Sequence, residues 1–273
     1  MTNFDANLVH KEIVQWTKNW FAKNGGEKPT AVIGISGGKD SSICAAILAE
    51  ALGPENVVGV MMPNGEQADI GDSKRLIEAL GIHGMTVNIG LAYTDLRGAI
   101  AENYLKDVSE GKHPNEWPSL FTTNTPARLR MVTLYGVAAT ENGRVCNTCN
   151  LSEDFVGWST KFGDAAGDFS LLGNLTKTEV CELGHTFEKI PSDLVDKIPS
   201  DGMCGSSDED KMGFTYEVLD TYIRTGLKPK SKDVWEKIEK MHNNPNTQKK
   251  IVIAKEDTFQ FYWKFYKKLS SFK

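Results

Sequence analysis

The 273-residue sequence predicts an α/β fold in one domain spanning residues 1–273: a parallel sheet with helices on both faces. Three observations predict it. Short, nearly continuous apolar runs recur at residues 31–35, 57–62, 85–89 and 145–148, the pattern of strands buried on both faces. Helix-length stretches separate them, at 43–52, 66–80 and 92–142. The first strand also runs directly into a glycine turn that opens a helix, Ile33-Gly34-Ile35-Ser36-Gly37-Gly38-Lys39-Asp40-Ser41-Ser42.

The other elements follow in order. Residues 5–23 read as an amphipathic opening helix, with Leu8, Ile13, Trp16 and Trp20 near helical spacing. The long helical region divides into two helices, because His113-Pro114-Asn115 and Trp117-Pro118 break it and Pro126 falls near the start of the second. Residues 157–173 are rich in Gly, Asp and Ser and read as loop. A short helix is expected at 176–184, a polar mobile loop at 192–210, and helices at 216–224 and 231–241. The aromatic, basic end, 259–273, is expected to pack on the core or on a partner subunit. No internal repeat or linker interrupts the chain.

Composition narrows the function classes. The chain has 31 Lys+Arg against 36 Asp+Glu and a net charge of -5, which argues against a dedicated nucleic-acid binder. It has no run of roughly 18 apolar residues, so no membrane span is expected. Residues 1–10 lack the basic flank and apolar core of a signal peptide, so cytoplasmic residence is expected. Five cysteines without framework spacing do not predict a disulfide scaffold. The Cys146-x-x-Cys149 pair has no second ligand pair to complete a zinc site, so strand-end packing is its expected role.

The glycine turn carries the chemistry. Paired glycines let the backbone approach a ligand, and N–H groups at a helix start bind anions. Three serines add hydroxyl donors and Lys39 adds charge. Asp40 makes sense beside a phosphate mainly if a divalent cation lies between them. A Walker A loop is excluded, since only three residues separate Gly34 from Gly38 and Asp40 follows the lysine; the G-x-G-x-x-G spacing is also absent. Ser36, Pro63 and Thr148 lie at or just after strand ends, where ligands of such sheets bind.

The S-G-G-x-D-S loop resembles that of the ATP pyrophosphatase (PP-loop) superfamily, which cleaves ATP between the α and β phosphates. Later segments resemble the NAD+ synthetases within it. Asn124-Thr125-Pro126-Ala127-Arg128-Leu129-Arg130-Met131 is similar to their N-x-x-A-R-x-R-M helix. The run 148–153, the run 157–168 with Thr160-Lys161-Phe162-Gly163-Asp164, and Leu175-Thr176-Lys177 resemble further blocks in family order. Pro199-Ser200-Asp201 with Asp208-Glu209 resembles another, with drift. The fold implied is Rossmann-like, of the adenine nucleotide alpha hydrolase kind.

The resemblance also implies a reaction: adenylation of the deamido-NAD+ carboxylate by ATP, then displacement of AMP by ammonia to give NAD+. It implies that Gly34, Ser36, Gly37, Gly38, Lys39, Asp40, Ser41, Ser42, Thr148, Lys177 and Ser200 contact ATP, that Asp40 and Glu153 hold Mg2+, and that Arg128, Lys161, Asp168, Gln248 and Lys249 contact deamido-NAD+. Gln248 departs from the family's histidine in H-K-R, and Gly202-Met203-Cys204-Gly205 departs from its loop pattern. The loop begins near residue 34, so no glutaminase domain is expected, and nitrogen would come from free ammonia or a separate protein. Homodimers are expected, with the region around Arg128 at the interface. Competing readings are a tRNA thiolase, a lysidine-type synthetase, a GMP synthetase, or a non-catalytic nucleotide sensor. The acidic charge and the lack of a second cysteine pair or basic extension weigh against the tRNA enzymes, the absence of a recognised dimerisation segment against the GMP synthetase, and the joint presence of Asp40, Glu153 and Lys177 against the sensor.

Overall fold

A computed structural model of the chain describes residues 4–67, 69–112, 116–197, 207–244 and 253–260. Five parallel strands form one sheet: β1 (Ala31–Gly34), β2 (Val57–Met61), β3 (His83–Thr86), β4 (Arg144–Asn147) and β5 (Phe169–Ser170), in the order β3-β2-β1-β4-β5. Ile33 of β1 lies opposite Gly59 of β2 on one side and Cys146 of β4 on the other. The connections reverse direction between β1 and β4, which opens a crevice at the carboxyl ends of these two strands.

The helices are α1 (Ala6–Asn24), α2 (Lys39–Leu52), α3 (Ile70–Leu80), α4 (Gly90–Ser109), α5 (Ser119–Glu141), α6 (Leu151–Val156), α7 (Lys177–Gly184), α8 (Ser192–Val195), α9 (Asp208–Met212), α10 (Tyr216–Thr225) and α11 (Lys232–His242). Alternation along β1 divides the core. Ala31 and Ile33 face a cluster with α1, α2, α3 and α7, whereas Val32 joins Val58, Val60, Val137 and Val145 on the face covered by α5. A satellite cluster of Val156, Met212, Phe214, Leu219 and Ile238 joins α6, α9, α10 and α11. Among the described residues no helix is long and apolar enough to cross a membrane.

Five expectations change. The third strand starts at His83, not Met85, because His83 and Gly84 pair with Val58 and Gly59 at an exposed sheet edge where apolar side chains are not required. Past its end, Val87 and Ile89 still donate to Met61 and Pro63. The stretch 157–173 is not all loop: Phe169 and Ser170 form β5, two residues too short to give a period. Leu8 is exposed and Val9 takes the core position in α1. Pro126 sits well inside α5 and is buried. The stretch expected as a loop from 192 contains α8 and ends in α9, and its residues 198–206 lie outside the described set. At the far end, Phe259 is buried and meets Trp16 edge-on, 6.1 Å between ring centroids.

Candidate active site

The loop after β1 is shaped by its glycines. Gly37 has φ +77°, and a Cβ there would lie 3.0 Å from the Cβ of Asp72, so no larger residue fits this backbone. Gly38 caps α2 without a side-chain acceptor, leaving the first amides of the helix for a ligand. The hydroxyls brace the turn. Ser36 Oγ accepts from Gly38 N at 3.2 Å, and Ser41 and Ser42 donate to Gly38 O at 3.0 and 2.9 Å. Lys39 is buried, and its ammonium donates to Cys181 Sγ at 3.3 Å.

Three helix starts converge on one charged cluster. Asp40 stands in the first turn of α2, Glu153 in that of α6, and Lys177 opens α7. Lys177 Nζ lies 2.5 Å from Asp40 Oδ2 and 3.0 Å from Glu153 Oε1, with the Tyr216 ring centroid 5.3 Å away. Asn150 completes the frame. Its side chain donates to Asp40 Oδ1 at 3.2 Å and accepts from Glu153 N at 3.1 Å, while its own N–H donates to Glu153 Oε2 at 3.3 Å. That last pair is a capping box, which fixes Glu153 from both ends.

The electrostatics follow from burial. Desolvation pushes the Glu153 carboxyl up to about 7, against the pull of the Lys177 ammonium. Burial opposes the charge of Lys177, but Asp40 and Glu153 outweigh it and hold the ammonium well above its ordinary range. Burial likewise raises Tyr216, whose hydroxyl donates to Asp208 at 3.4 Å. One ammonium thus faces two carboxylates and cannot fully offset both when both are charged.

That donor set fits a hard divalent cation in part. Among the described residues no group of three His, Cys, Asp or Glu could hold a metal by itself. Two carboxylate oxygens at facing helix starts therefore supply only part of a shell, which phosphate and water oxygens would complete, as magnesium allows.

The other expected residues are placed as follows. Arg128 Nε donates to Lys161 O at 3.3 Å, so these two meet on the exposed side of α5, with the Lys161 ammonium 4.7 Å from the Phe162 ring centroid. Asp168 ties β4 to α5. Its Oδ2 accepts from Val145 N at 2.7 Å and its Oδ1 from Tyr135 Oη at 3.3 Å. Thr148 follows the end of β4. Ser200, Gln248 and Lys249 lie outside the described residues. Cys146 and Cys149 are buried without a mutual bond; their thiols donate to Asn147 O and Asp164 O, both at 3.3 Å.

Asn150, Tyr216 and Arg130 were not anticipated as site residues. Arg130 reaches the end of β2 and donates to Met62 O at 3.0 Å, and burial lowers its pKa. Asn150 was the legible one, since Asn150-x-x-Glu153 is a capping signature directly after a strand. Tyr216 carried no sequence signal.

Known proteins resemble this chain over most of its length. The family profile for NAD synthase matches residues 9–260. The chain is 38% identical over 225 residues to an NH(3)-dependent NAD(+) synthetase of Fusobacterium nucleatum, covering 81% of each chain. It is 40% identical over 223 residues to one of Syntrophomonas wolfei, covering 81% of this chain and 85% of that one. Its fold matches that of an NMN synthetase from Francisella tularensis with a TM-score of 0.76 and 32% identity, over 92% of this chain and 98% of the other. With relatives this similar and a family match over most of its length, the chain belongs to the NAD synthase family.

Proposed function

We propose that the chain is an amide-forming ligase that makes NAD+ from deamido-NAD+, ATP and ammonia, releasing AMP and pyrophosphate. The observation that carries the reading is the Asp40–Lys177–Glu153 cluster beside the open start of α2, in a chain of the NAD synthase family. A carboxylate resists attack by ammonia until it has a good leaving group, so ATP is spent on adenylation. That transfer depends on positioned, neutralised phosphates more than on an acid or base.

In this reading the amides and hydroxyls of Ser36 to Ser42 and the Lys39 ammonium hold the departing pyrophosphate. Asp40 and Glu153 hold Mg2+, which supplies charge neutralisation to the phosphates when bound. Lys177, already placed between those carboxylates, offers its ammonium to the α-phosphate side. Thr148 and Ser200 complete the ATP contacts. Arg128 and Lys161 hold anionic groups of deamido-NAD+, with Asp168, Gln248 and Lys249 as further contacts. The chain acts as a single domain, in the cytoplasm, and as a homodimer. Support for the dimer is the face of α4 and α5: none of the 20 residues of α4 is buried, and Leu91, Leu120 and Val132 are exposed.

A second reading has its own support. The Francisella tularensis relative is an NMN synthetase, so the mononucleotide with a nicotinate carboxylate is the competing acceptor. One experiment separates the readings. Purified chain, ATP and Mg2+ are supplied with ammonium or glutamine, and with deamido-NAD+ or nicotinate mononucleotide. The proposal expects ammonium-driven NAD+ formation at the higher kcat/KM. Glutamine-driven turnover by the chain alone, or preference for the mononucleotide, overturns it.

A further inference from the structure

The first two amides of α7, those of Lys177 and Thr178, have no partners within their own helix. Both end on one distant carboxylate. Thr178 N donates to Asp220 Oδ2 at 2.8 Å, and Lys177 N donates to Ser152 Oγ at 2.9 Å. The Ser152 hydroxyl in turn gives its single proton to Asp220 Oδ1. Ser152 is the neighbour of Glu153 in α6. Asp220 therefore joins the start of the helix that carries Lys177 to the start of the helix that carries Glu153.

Its position suits that task. Asp220 is 4% exposed, in the middle of α10, and makes no hydrogen bond to the side chains of Asp40, Glu153 or Lys177. Burial raises its pKa, while the bonds from Ser152 and Thr178 draw it back towards the charged form. One helical turn further on, Arg224 Nε donates to Glu179 Oε1 at 2.7 Å and its Nη2 to Asn174 O at 2.8 Å. Glu179 accepts from Thr176 N at 2.8 Å. Two opposite charges four residues apart on α10 thus grip α7 and the turn before it.

We propose that Asp220 is a positioning residue for ATP activation, setting through Ser152 and the Thr178 amide where Lys177 and Glu153 stand; this rests on the ATP-site reading above. Only an acceptor on both oxygens serves, because both neighbours donate. Asp220→Asn keeps the shape but turns an amide N–H towards one of them.

The test is a double-mutant cycle on Asp220→Asn and Ser152→Ala, read by calorimetric ATP·Mg2+ affinity and by kcat and KM for ATP. Asp220→Asn is expected to lose about 10- to 100-fold in kcat/KM for ATP, the range for residues that orient ligating side chains, with ATP affinity falling in parallel. Ser152→Ala should reproduce most of that loss, and the double variant should be no worse than Asp220→Asn. Additive losses, or variants within about twofold of wild type, overturn the proposal. If Asp220→Asn does not fold, Ser152→Ala decides: unchanged ATP affinity refutes it, and weakened affinity supports it. If the wild type makes no NAD+, the functional reading falls, and the ATP-affinity cycle still judges Asp220.

Discussion

Lys177 Nζ sits 2.5 Å from Asp40 Oδ2, although 137 residues separate the two in sequence. The Lys177 side chain is 5% exposed, and its ammonium also serves Glu153. Lys177→Met removes the counter-charge of two largely buried carboxylates. We expect a loss of about 3–5 kcal/mol in stability, the usual result of breaking a buried ion pair. Urea unfolding at neutral pH measures it, and a loss below about 1 kcal/mol would mean the cluster is solvated.

Asp40→Asn and Glu153→Gln should behave differently from Lys177→Met. Each leaves Lys177 one carboxylate, so the melting temperature should stay near wild type. NAD+ formation should fall on the order of a hundredfold or more, and the Mg2+ concentration for half-maximal rate should rise. Near-wild-type turnover would remove both residues from the metal assignment.

Tyr135 and Asp168 give a pH prediction. Burial first, then the Asp168 carboxylate, pushes the phenol from 10.0 up to about 12. A raised folded-state pKa means that its contribution is fully present below the unfolded value and is lost as pH rises through the folded one. The stability advantage of wild type over Tyr135→Phe should therefore be constant to pH 10 and shrink between 10 and about 12. Parallel denaturation curves across this window test it; a gap that stays constant would show that Tyr135 does not titrate there.

The thiols rank by access. Burial pushes Cys44 and Cys149 well above the ordinary thiol range, and Cys146 is also buried, whereas Cys181 is half-buried beside Lys39. Iodoacetamide under native conditions should label Cys181 before Cys44, Cys146 or Cys149. Peptide mapping by mass spectrometry reads the order, and early labelling of Cys146 and Cys149 would reopen a redox role for that pair.

Val132 lies on α5 and is 60% exposed. If the α4–α5 face is the homodimer contact, Val132→Asp should lower the sedimenting mass to about half of the wild-type value. Equal masses for both forms would place the dimer elsewhere or exclude it.

Much of the site was legible because its signals are local. The strand, glycine turn and helix from Ala31 to Leu52 form one contiguous piece, and each residue's role follows from its neighbours. Glu153 and Lys177 each open a helix after a recognisable cap, Asn150 and Thr176. Where the signal was short or non-local it failed. β5 has two residues, and its strand character exists only by pairing with Cys146 and Asn147. The bonds that Asp168 receives from Tyr135 and Val145, 33 and 23 residues away, likewise had no local signal.

The sequence by itself determined the parallel α/β architecture, the anion loop and its helix, and the residue types the chemistry needs, because burial pattern and turn chemistry are written in adjacent residues. Only the tertiary structure decided that Asp40, Glu153 and Lys177 share one buried cluster, that Tyr216 covers it, and that Asp220 fastens two of its helices. The reason is physical. Those contacts join chain segments tens to more than a hundred residues apart, and their strength comes from desolvation, which no residue has until the sheet and its helices have closed around it.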